Sequence, residues 1–254
     1  MKLYFMHIPK TGGMSLHAML SKHFHAEEIC PERHYPAALI PPGEAQKYRF
    51  FSAHAPYDLF LRLPKPAKIV TVFREPVARI ISAYFFLRRF AIPDIHPRIA
   101  RELSFSQFLN WDNRYFQEEQ SNQTAGFLCG HKYLNPDGIP WRSKSEILDV
   151  GFARIESMDF VGITEFMQES VARMWPAIGF KGEPRMLTIN ARSEAESEAD
   201  RAEVTPKIVA RIEELNQIDI ELYKFARKRF LDQRVIPKPH EHQSSGNSFS
   251  ARDR

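Results

Sequence analysis

The chain has 254 residues, of which 43% are hydrophobic and 26% are charged. These proportions are typical of a globular protein with a buried core, and they exclude a collagen-like chain, a coiled coil and a mostly disordered chain. The formal net charge of +4 at pH 7 is a mild basic excess. Such an excess suits a small anionic ligand and does not indicate a nucleic-acid-binding protein.

The cysteine content and the distribution of apolar residues bear on the compartment. Two cysteines, Cys30 and Cys129, allow at most one bridge, so a disulfide scaffold is excluded and a reducing compartment is favoured. No stretch approaches the roughly 20 apolar residues that a membrane-spanning helix needs. The N-terminal residues have neither the apolar segment nor the cleavage site of a signal peptide. We therefore expect a soluble, cytoplasmic protein without a transmembrane segment.

Hydrophobic periodicity and turn residues predict strands that alternate with helices. Strands are predicted at residues 2–8, 68–73 and 159–163, with a shorter candidate at 50–52. Helices are predicted at residues 15–23 and 77–90, over FSQFLNW after Ser104, from an N-cap at Thr164 to Ile178 with Gly179 closing the helix, and from Pro206 to Phe230. This alternation favours the α/β class, with a central, mainly parallel sheet flanked by helices. Residues 1–232 are predicted to form one domain, and residues 233–254 a disordered tail.

The segment HIPKTGGMS, residues 7–15, lies between the first strand and the first helix. Open α/β sheets bind ligands at such strand ends. The two glycines let the backbone approach a ligand, and the following helix points its N–H groups at it. Lys10 adds a positive charge, and Thr11 and Ser15 add hydroxyl groups. These features suit a tetrahedral oxyanion, although an ordinary turn that needs glycine for its geometry is an equal alternative on this segment alone.

The same segment differs from the phosphate loop of nucleoside-triphosphate enzymes. That loop has the pattern G-x-x-x-x-G-K-[ST], with its glycines before the lysine. Here Pro9 precedes Lys10 and both glycines follow it. The strand KIVTVF also ends at Arg74 and not at an acid that could hold Mg²⁺. The pattern favours an anion site without a metal, and a nucleotide kinase becomes the less favoured alternative.

A second informative segment is REPVARIISAY, residues 74–84. Arg74 ends a predicted strand and Ser82 follows two helical turns later, so that a guanidinium and a hydroxyl could share one phosphate. Residues 60–101 contain nine Lys and Arg against two acids, which makes the local field positive. The alternative interpretation is a basic amphipathic helix whose cations lie on its solvated face, and we prefer this interpretation for Arg88 and Arg89.

Together, HIPKTGGMS and FREPVARIISAY resemble the paired signature of sulfotransferases that use 3′-phosphoadenosine 5′-phosphosulfate (PAPS). The similarity is greatest to the carbohydrate branch that includes the heparan sulfate 2-O-sulfotransferases, as a soluble, bacterial-type member. Weaker similarity is found in NQTAGFLCG, FVGITEF and LNQIDIELYKFA. The resemblance implies a single P-loop-like α/β domain that transfers a sulfuryl group to a hydroxyl acceptor, a saccharide or a glycolipid. The product would be 3′-phosphoadenosine 5′-phosphate (PAP), and no metal is implied.

The resemblance also implies roles for individual residues. Lys10 would contact the 5′-phosphosulfate and act as a catalytic residue by stabilising the charge on the departing oxygen. Arg74 and Ser82 would bind the 3′-phosphate, which distinguishes this donor from ATP. Further donor contacts would come from the rest of the loop, namely Thr11, Gly12, Gly13, Met14 and Ser15.

The expected catalytic base is His54, in the segment FSAHAPY. It corresponds to the histidine of the family's G-H-x-P-Y-like segment, and imidazole titrates in the range that general base catalysis needs. Without the resemblance a structural histidine would be favoured here, and we expect that role for His7.

Three positions depart from the family pattern: Met14 replaces Thr, Ala53 replaces Gly, and Glu75 replaces Asp or Asn. None removes a charge that the donor needs. A non-catalytic module that binds phosphoadenosine stays open as an alternative function.

Overall fold

The computed structural model describes residues 1–33, 40–89, 95–113, 119–130, 143–185, 200 and 202–233. The predicted disordered tail, residues 233–254, lies outside this part of the chain except for Gln233.

The described residues contain one sheet of four strands. The strands are β1 (Lys2–Met6), β2 (Phe50–Ala53), β3 (Ala67–Phe73) and β4 (Phe160–Ile163). They lie side by side in the order β2-β1-β3-β4, and every neighbouring pair is parallel. β2 and β4 are buried along their whole length, as expected for parallel strands covered by helices on both faces. The predicted α/β fold with a parallel sheet is confirmed.

Helices surround this sheet. They are α1 (Gly13–Ser21), α2 (Pro42–Ala45), α3 (Tyr57–Leu61), α4 (Pro76–Arg89), α5 (Ile95–Glu102), α6 (Phe105–Leu109), α7 (Gln123–Cys129), α8 (Lys144–Ser157), α9 (Met167–Ala177), α10 (Pro206–Leu215) and α11 (Gln217–Asp232). Two 3₁₀ turns lie at Ala26–Glu28 and Thr164–Phe166.

Buried apolar side chains form two clusters. The larger one covers both faces of the sheet. The smaller one lies where α4 packs against α5, α6 and α10, and the rings of Tyr84 and Phe105 stack within it at 4.1 Å between centroids. Ile212 of α10 is fully buried in the same cluster. Helix α4 follows β3 and Arg74. The smaller cluster therefore holds this helix on the side that faces away from the sheet as well.

Two predicted helix boundaries are wrong, both because of contacts between distant parts of the chain. The single C-terminal helix is interrupted at Asn216, whose side-chain amide donates to the carbonyls of Gln120 and Ile212. Thr164 does not cap a helix: it starts a 3₁₀ turn, and α9 begins only at Met167. The predicted end at Gly179 is confirmed, since this residue has a left-handed φ of 80° after the last turn.

The strand order determines where a ligand can bind. β1 lies between β2 and β3, so the chain runs from β1 to β2 on one side and then crosses over β1 to β3 on the other side. Parallel sheets form a crevice at such a switch point, at the carboxyl ends of the strands. The residues after β1, β2, β3 and β4 begin with His7, His54, Arg74 and Thr164, respectively. The segments singled out in the sequence thus meet at one edge of the sheet.

Candidate functional site

Hydrogen bonds to its carbonyl groups hold the loop after β1 in place. The carbonyl oxygen of Lys10 accepts a hydrogen bond from Arg74 Nη1 at 3.1 Å, and that of Thr11 accepts one from Thr164 Oγ1 at 2.9 Å. A trans peptide unit points its C=O and the following N–H in opposite directions. The N–H groups of Thr11 and Gly12 therefore point to the opposite side of the loop from Arg74 and Thr164.

Several N–H groups of this loop have no acceptor among the residues that the structure describes. Within the described residues, no backbone N–H from Thr11 to Met14 donates a hydrogen bond. Gly12 is the N-cap of α1 and has a φ of 82°, and Lys10 has a φ of 68°, which is uncommon for a residue other than glycine. Unpaired N–H groups at the positive end of a helix form a site for an anion. The strained conformation of Lys10 is thus found at a place suited to a ligand.

Neither the Thr11 nor the Met14 side chain is available to donate a hydrogen bond to an anion. The Thr11 side chain is buried and its hydroxyl donates to the carbonyl of Ile8 at 2.9 Å. The hydroxyl hydrogen is therefore used inside the loop, and what Thr11 can offer an anion is its N–H group. Met14 is 46% exposed in the first turn of α1, where it can offer only its backbone.

His54 follows β2 and is oriented by the neighbouring strand. Its Nδ1 lies 2.7 Å from the carbonyl oxygen of His7. A carbonyl can only accept, so this nitrogen carries the hydrogen and Nε2 holds the lone pair. The backbone N–H of His54 donates to the carbonyl of Arg33 at 2.6 Å, which fixes the main chain as well. Such an arrangement presents Nε2 as a base.

His7 is buried against this histidine. The two imidazole centroids lie 4.2 Å apart, and the His7 ring stacks on Phe5. Burial, and next the neighbouring His54, lower the pKa of His7 to about 2, so its ring stays neutral. A Cβ atom on Gly13 would lie 2.0 Å from His7 Cδ2, so the glycine makes room for the ring. The expected structural role of His7 is thus specific: it packs between the loop and His54.

Contacts link Lys10 to Arg74 and to the face of α4 that carries Ser82. Lys10 Nζ lies 3.5 Å from the centroid of the Phe86 ring on α4. Ser82 is one helical turn before Phe86 and so lies on the same face of α4, largely buried. Arg74, which precedes α4, reaches the loop through the hydrogen bond to Lys10. The loop therefore carries one cation, Lys10, and contacts a second, Arg74, on the side of its carbonyl groups.

Glu75, one of the three departures, has a clear structural role. Its carboxylate oxygens accept hydrogen bonds from the N–H groups of Val77 at 3.0 Å and Ala78 at 2.7 Å. It therefore caps the N-terminus of α4, as a shorter Asp or Asn would. The departure keeps the helix start that follows Arg74.

The sequence analysis missed a buried polar cluster under α4. Arg79 is fully buried, and its Nη1 donates to Gln123 Oε1 at 2.5 Å. Asp219 accepts the N–H groups of Thr124 and Ala125 and so caps α7. Burial raises the pKa of Asp219, and Arg79 opposes this rise. The signal was present in the weakly similar segments NQTAGFLCG and LNQIDIELYKFA, which the fold brings into contact here.

No group of three or more His, Cys, Asp and Glu side chains in the described residues is arranged to hold a metal ion. No helix in them is both long enough and apolar enough to cross a bilayer.

Residues 1–226 match the sequence model of the sulfotransferase family. The chain belongs to this family. Human heparan-sulfate 6-O-sulfotransferase 2 is 22% identical in an alignment that covers 96% of this chain and 47% of that protein. A protein-tyrosine sulfotransferase of Arabidopsis thaliana is 35% identical over 86 residues, which are 33% of this chain and 17% of that protein. The chain thus spans less than half the length of these two curated relatives.

The chain is also similar to solved structures of sulfotransferases. A mouse sulfotransferase complexed with PAP is 12% identical, with a TM-score of 0.37, over 80% of this chain and 64% of that one. A sulfotransferase from Alicyclobacillus acidocaldarius is 19% identical, also with a TM-score of 0.37, over 88% and 98% of the two chains. Both scores are low, so membership of the family rests on the sequence match. The match does not confirm the 2-O branch or the bacterial type.

Proposed function

We propose that the chain is a PAPS-dependent sulfotransferase that transfers a sulfuryl group to a hydroxyl of a saccharide or glycolipid. The observation that carries the proposal is the row of N–H groups from Thr11 to Met14 without an acceptor among the described residues. This row lies beside Lys10, and His54 follows the neighbouring strand. An anion site next to an oriented base is the arrangement that sulfuryl transfer needs.

The donor would be bound by two groups of residues. Lys10, the N–H groups from Thr11 to Met14 and Ser15 would hold the 5′-phosphosulfate. Arg74 and Ser82 would hold the 3′-phosphate. The described residues fit a nucleotide with two anionic groups because Lys10, Arg74 and the loop N–H groups supply cations and hydrogen-bond donors at this edge of the sheet. In this proposal no metal takes part.

The transfer would be an in-line displacement at sulfur. His54 Nε2 takes the proton of the acceptor hydroxyl while the hydroxyl oxygen forms a bond to sulfur. The bond between sulfur and the bridging phosphate oxygen breaks, and that oxygen keeps the electron pair as PAP leaves. Lys10 and the loop N–H groups stabilise the negative charge that develops on the departing oxygen. The chain supplies position and electrostatic stabilisation.

A carbohydrate acceptor is supported by the two sequence motifs and by the relatives named as heparan-sulfate sulfotransferases. We expect transfer to saccharides that carry a free hydroxyl. A panel of saccharides, glycolipids and a tyrosine peptide, incubated with ³⁵S-labelled PAPS, tests this choice. Labelling of the tyrosine peptide alone would contradict a carbohydrate acceptor.

The donor site is tested first by thermal unfolding with PAP, compared with ADP and Mg²⁺. A ligand at about 100 times its Kd adds about 2.7 kcal/mol to the free energy of unfolding, which raises the Tm of a chain of this size by roughly 5–10 °C. We expect this shift with PAP alone. A shift with ADP and Mg²⁺ alone would support a kinase, and no shift with either would contradict the donor site. Binding of PAP without transfer to any acceptor would support a non-catalytic binding module.

A further inference from the structure

We propose that Thr164 is a positioning residue that sets the distance between the two phosphate subsites of the donor. This inference rests on the proposed function, since it concerns how the same nucleotide is held. Thr164 is the first residue after β4, and the proposed mechanism gives it no role.

The hydroxyl group of Thr164 joins two backbone segments. Its Oγ1 lies 2.9 Å from the carbonyl oxygen of Thr11 and 2.9 Å from that of Phe73. Thr11 belongs to the loop proposed for the 5′-phosphosulfate. Phe73 is the last residue of β3, directly before Arg74, which is proposed for the 3′-phosphate. The hydroxyl has one hydrogen for two acceptors, so it is shared between the two segments.

The two segments are not joined to each other by the sheet. The pairing of β1 with β3 ends at Met6 and Thr71, whereas β3 stays paired with β4 up to Phe73, so no ladder hydrogen bond links the loop after β1 to the end of β3. Arg74 also joins the segments, through its bond to Lys10, but its guanidinium is proposed to bind phosphate. Thr164 can keep its contacts whether or not a nucleotide is bound.

Thr164 is itself anchored in a rigid part of the fold. The preceding residue, Ile163, pairs with Phe73 across the sheet. The following residue, Glu165, accepts hydrogen bonds from the N–H of Glu75 and from the hydroxyl of Tyr223, both at 3.0 Å. The end of β4 is therefore fixed to the start of α4 and to α11. This anchoring lets one hydroxyl group hold the loop at a defined place.

A nucleotide with two phosphates occupies both subsites, so its binding depends on the distance between them. A nucleotide with one phosphate occupies a single subsite, so its binding does not depend on this distance. Replacing Thr164 by Val removes the hydroxyl and keeps the shape of the side chain. We expect Thr164→Val to bind PAP about five- to tenfold more weakly, the loss typical of one hydrogen bond. Binding of adenosine 5′-phosphate and of adenosine 3′-phosphate should change by less than about twofold.

The experiment is calorimetric titration of the wild-type chain, Thr164→Val and Thr164→Ser with these three nucleotides. Thr164→Ser keeps the hydroxyl and should restore binding of PAP. If Thr164→Val does not fold, as judged by circular dichroism, Thr164→Ala replaces it, because the smaller side chain removes the hydroxyl without adding bulk.

Weaker binding of PAP alone in Thr164→Val, with binding restored in Thr164→Ser, would support the proposed positioning role of Thr164. Equal weakening of all three nucleotides would show a general structural role and overturn it, as would unchanged binding of PAP. If the wild-type chain fails to bind PAP, the proposed function fails and the inference fails with it. That result can be distinguished from a binding result that contradicts the inference in Thr164→Val alone, while the wild-type chain binds PAP.

Discussion

His54 Nδ1 lies 2.7 Å from the backbone carbonyl oxygen of His7, so the candidate base is attached to the residue from which the loop after β1 begins. The two elements therefore share one anchor at the end of β1. A change in the loop can alter the orientation of the base, and the base cannot rotate without losing this hydrogen bond. This relationship leads to predictions that separate binding from transfer.

Replacing His54 by Ala should abolish transfer and leave binding of PAP nearly unchanged. Loss of a general base costs about 10²–10⁴ in rate, whereas the proposed donor contacts lie elsewhere. The measurement is the rate of ³⁵S transfer together with the thermal shift by PAP. The exposed His25 supplies the matched control, and His25→Ala should behave as the wild-type chain does. Full transfer activity in His54→Ala would show that another group takes the proton.

Replacing Lys10 by Ala should reduce both binding of PAP and transfer, because the charge beside the loop is lost. Lys22→Ala, at an exposed position just after α1, is the control for the overall charge. A second variant separates charge from backbone conformation. Lys10→Gly fits the φ of 68° without strain but also lacks the ammonium group. Retained binding in Lys10→Gly would contradict a role for the charge.

Gly13→Ala should destabilise the chain and impair transfer. The added Cβ would meet the His7 ring at 2.0 Å, so the ring that packs against His54 must move. Overpacking of this kind costs about 1–3 kcal/mol, to be measured by urea unfolding. Gly126→Ala, in α7, is the matched control because a Cβ there meets nothing within 4 Å. It should leave stability unchanged or increase it by up to about 1 kcal/mol. Equal effects of the two changes would contradict the packing that we describe.

The free energy of unfolding should fall as the pH decreases below about 6.5, the ordinary pKa of an imidazole. Burial is the main cause that lowers the pKa of His7 to about 2 and that of His17 to about 4. Below pH ~6.5 the unfolded chain binds protons at both histidines while the folded chain does not. The stability is therefore complete above this pH and is lost as the pH falls from there toward about 4 for His17 and about 2 for His7.

The expected loss is about 2–3 kcal/mol between pH ~7.5 and pH ~5.5, if both histidines contribute. Urea unfolding at these two pH values measures it. His17→Phe keeps an aromatic ring against Phe50, on which His17 stacks, but has no group that titrates. This variant should lose about half as much stability over the same range. The same loss in His17→Phe as in the wild-type chain would contradict the contribution of His17.

Much of the fold followed from local patterns. The apolar segments around Phe5 and Val70 predicted buried parallel strands, and both lie in the middle of the sheet. The helix predicted from residue 77 begins one residue earlier, at Pro76, and Gly179 predicted a helix end that is found there. These signals are reliable because they act within a few residues of the chain.

The errors arose where distant residues compete for the same groups. Thr164 looked like an N-cap, yet its hydroxyl bonds to Thr11, 153 residues away. Asn216 lay inside an apolar periodicity, yet its amide binds the carbonyl of Gln120 and interrupts the helix. Neither partner can be identified from spacing, because the fold alone brings them together.

The sequence by itself determined the parallel α/β fold, the order of the two segments proposed to bind phosphate and the residue types at the strand ends. Those features depend on side-chain chemistry and short-range periodicity. The tertiary structure decided which nitrogen of His54 carries the hydrogen, which loop N–H groups lack an acceptor within the described part of the chain, and that Thr164 joins both segments. These properties depend on hydrogen bonds between residues far apart in the chain, whose geometry exists only once the strands lie side by side.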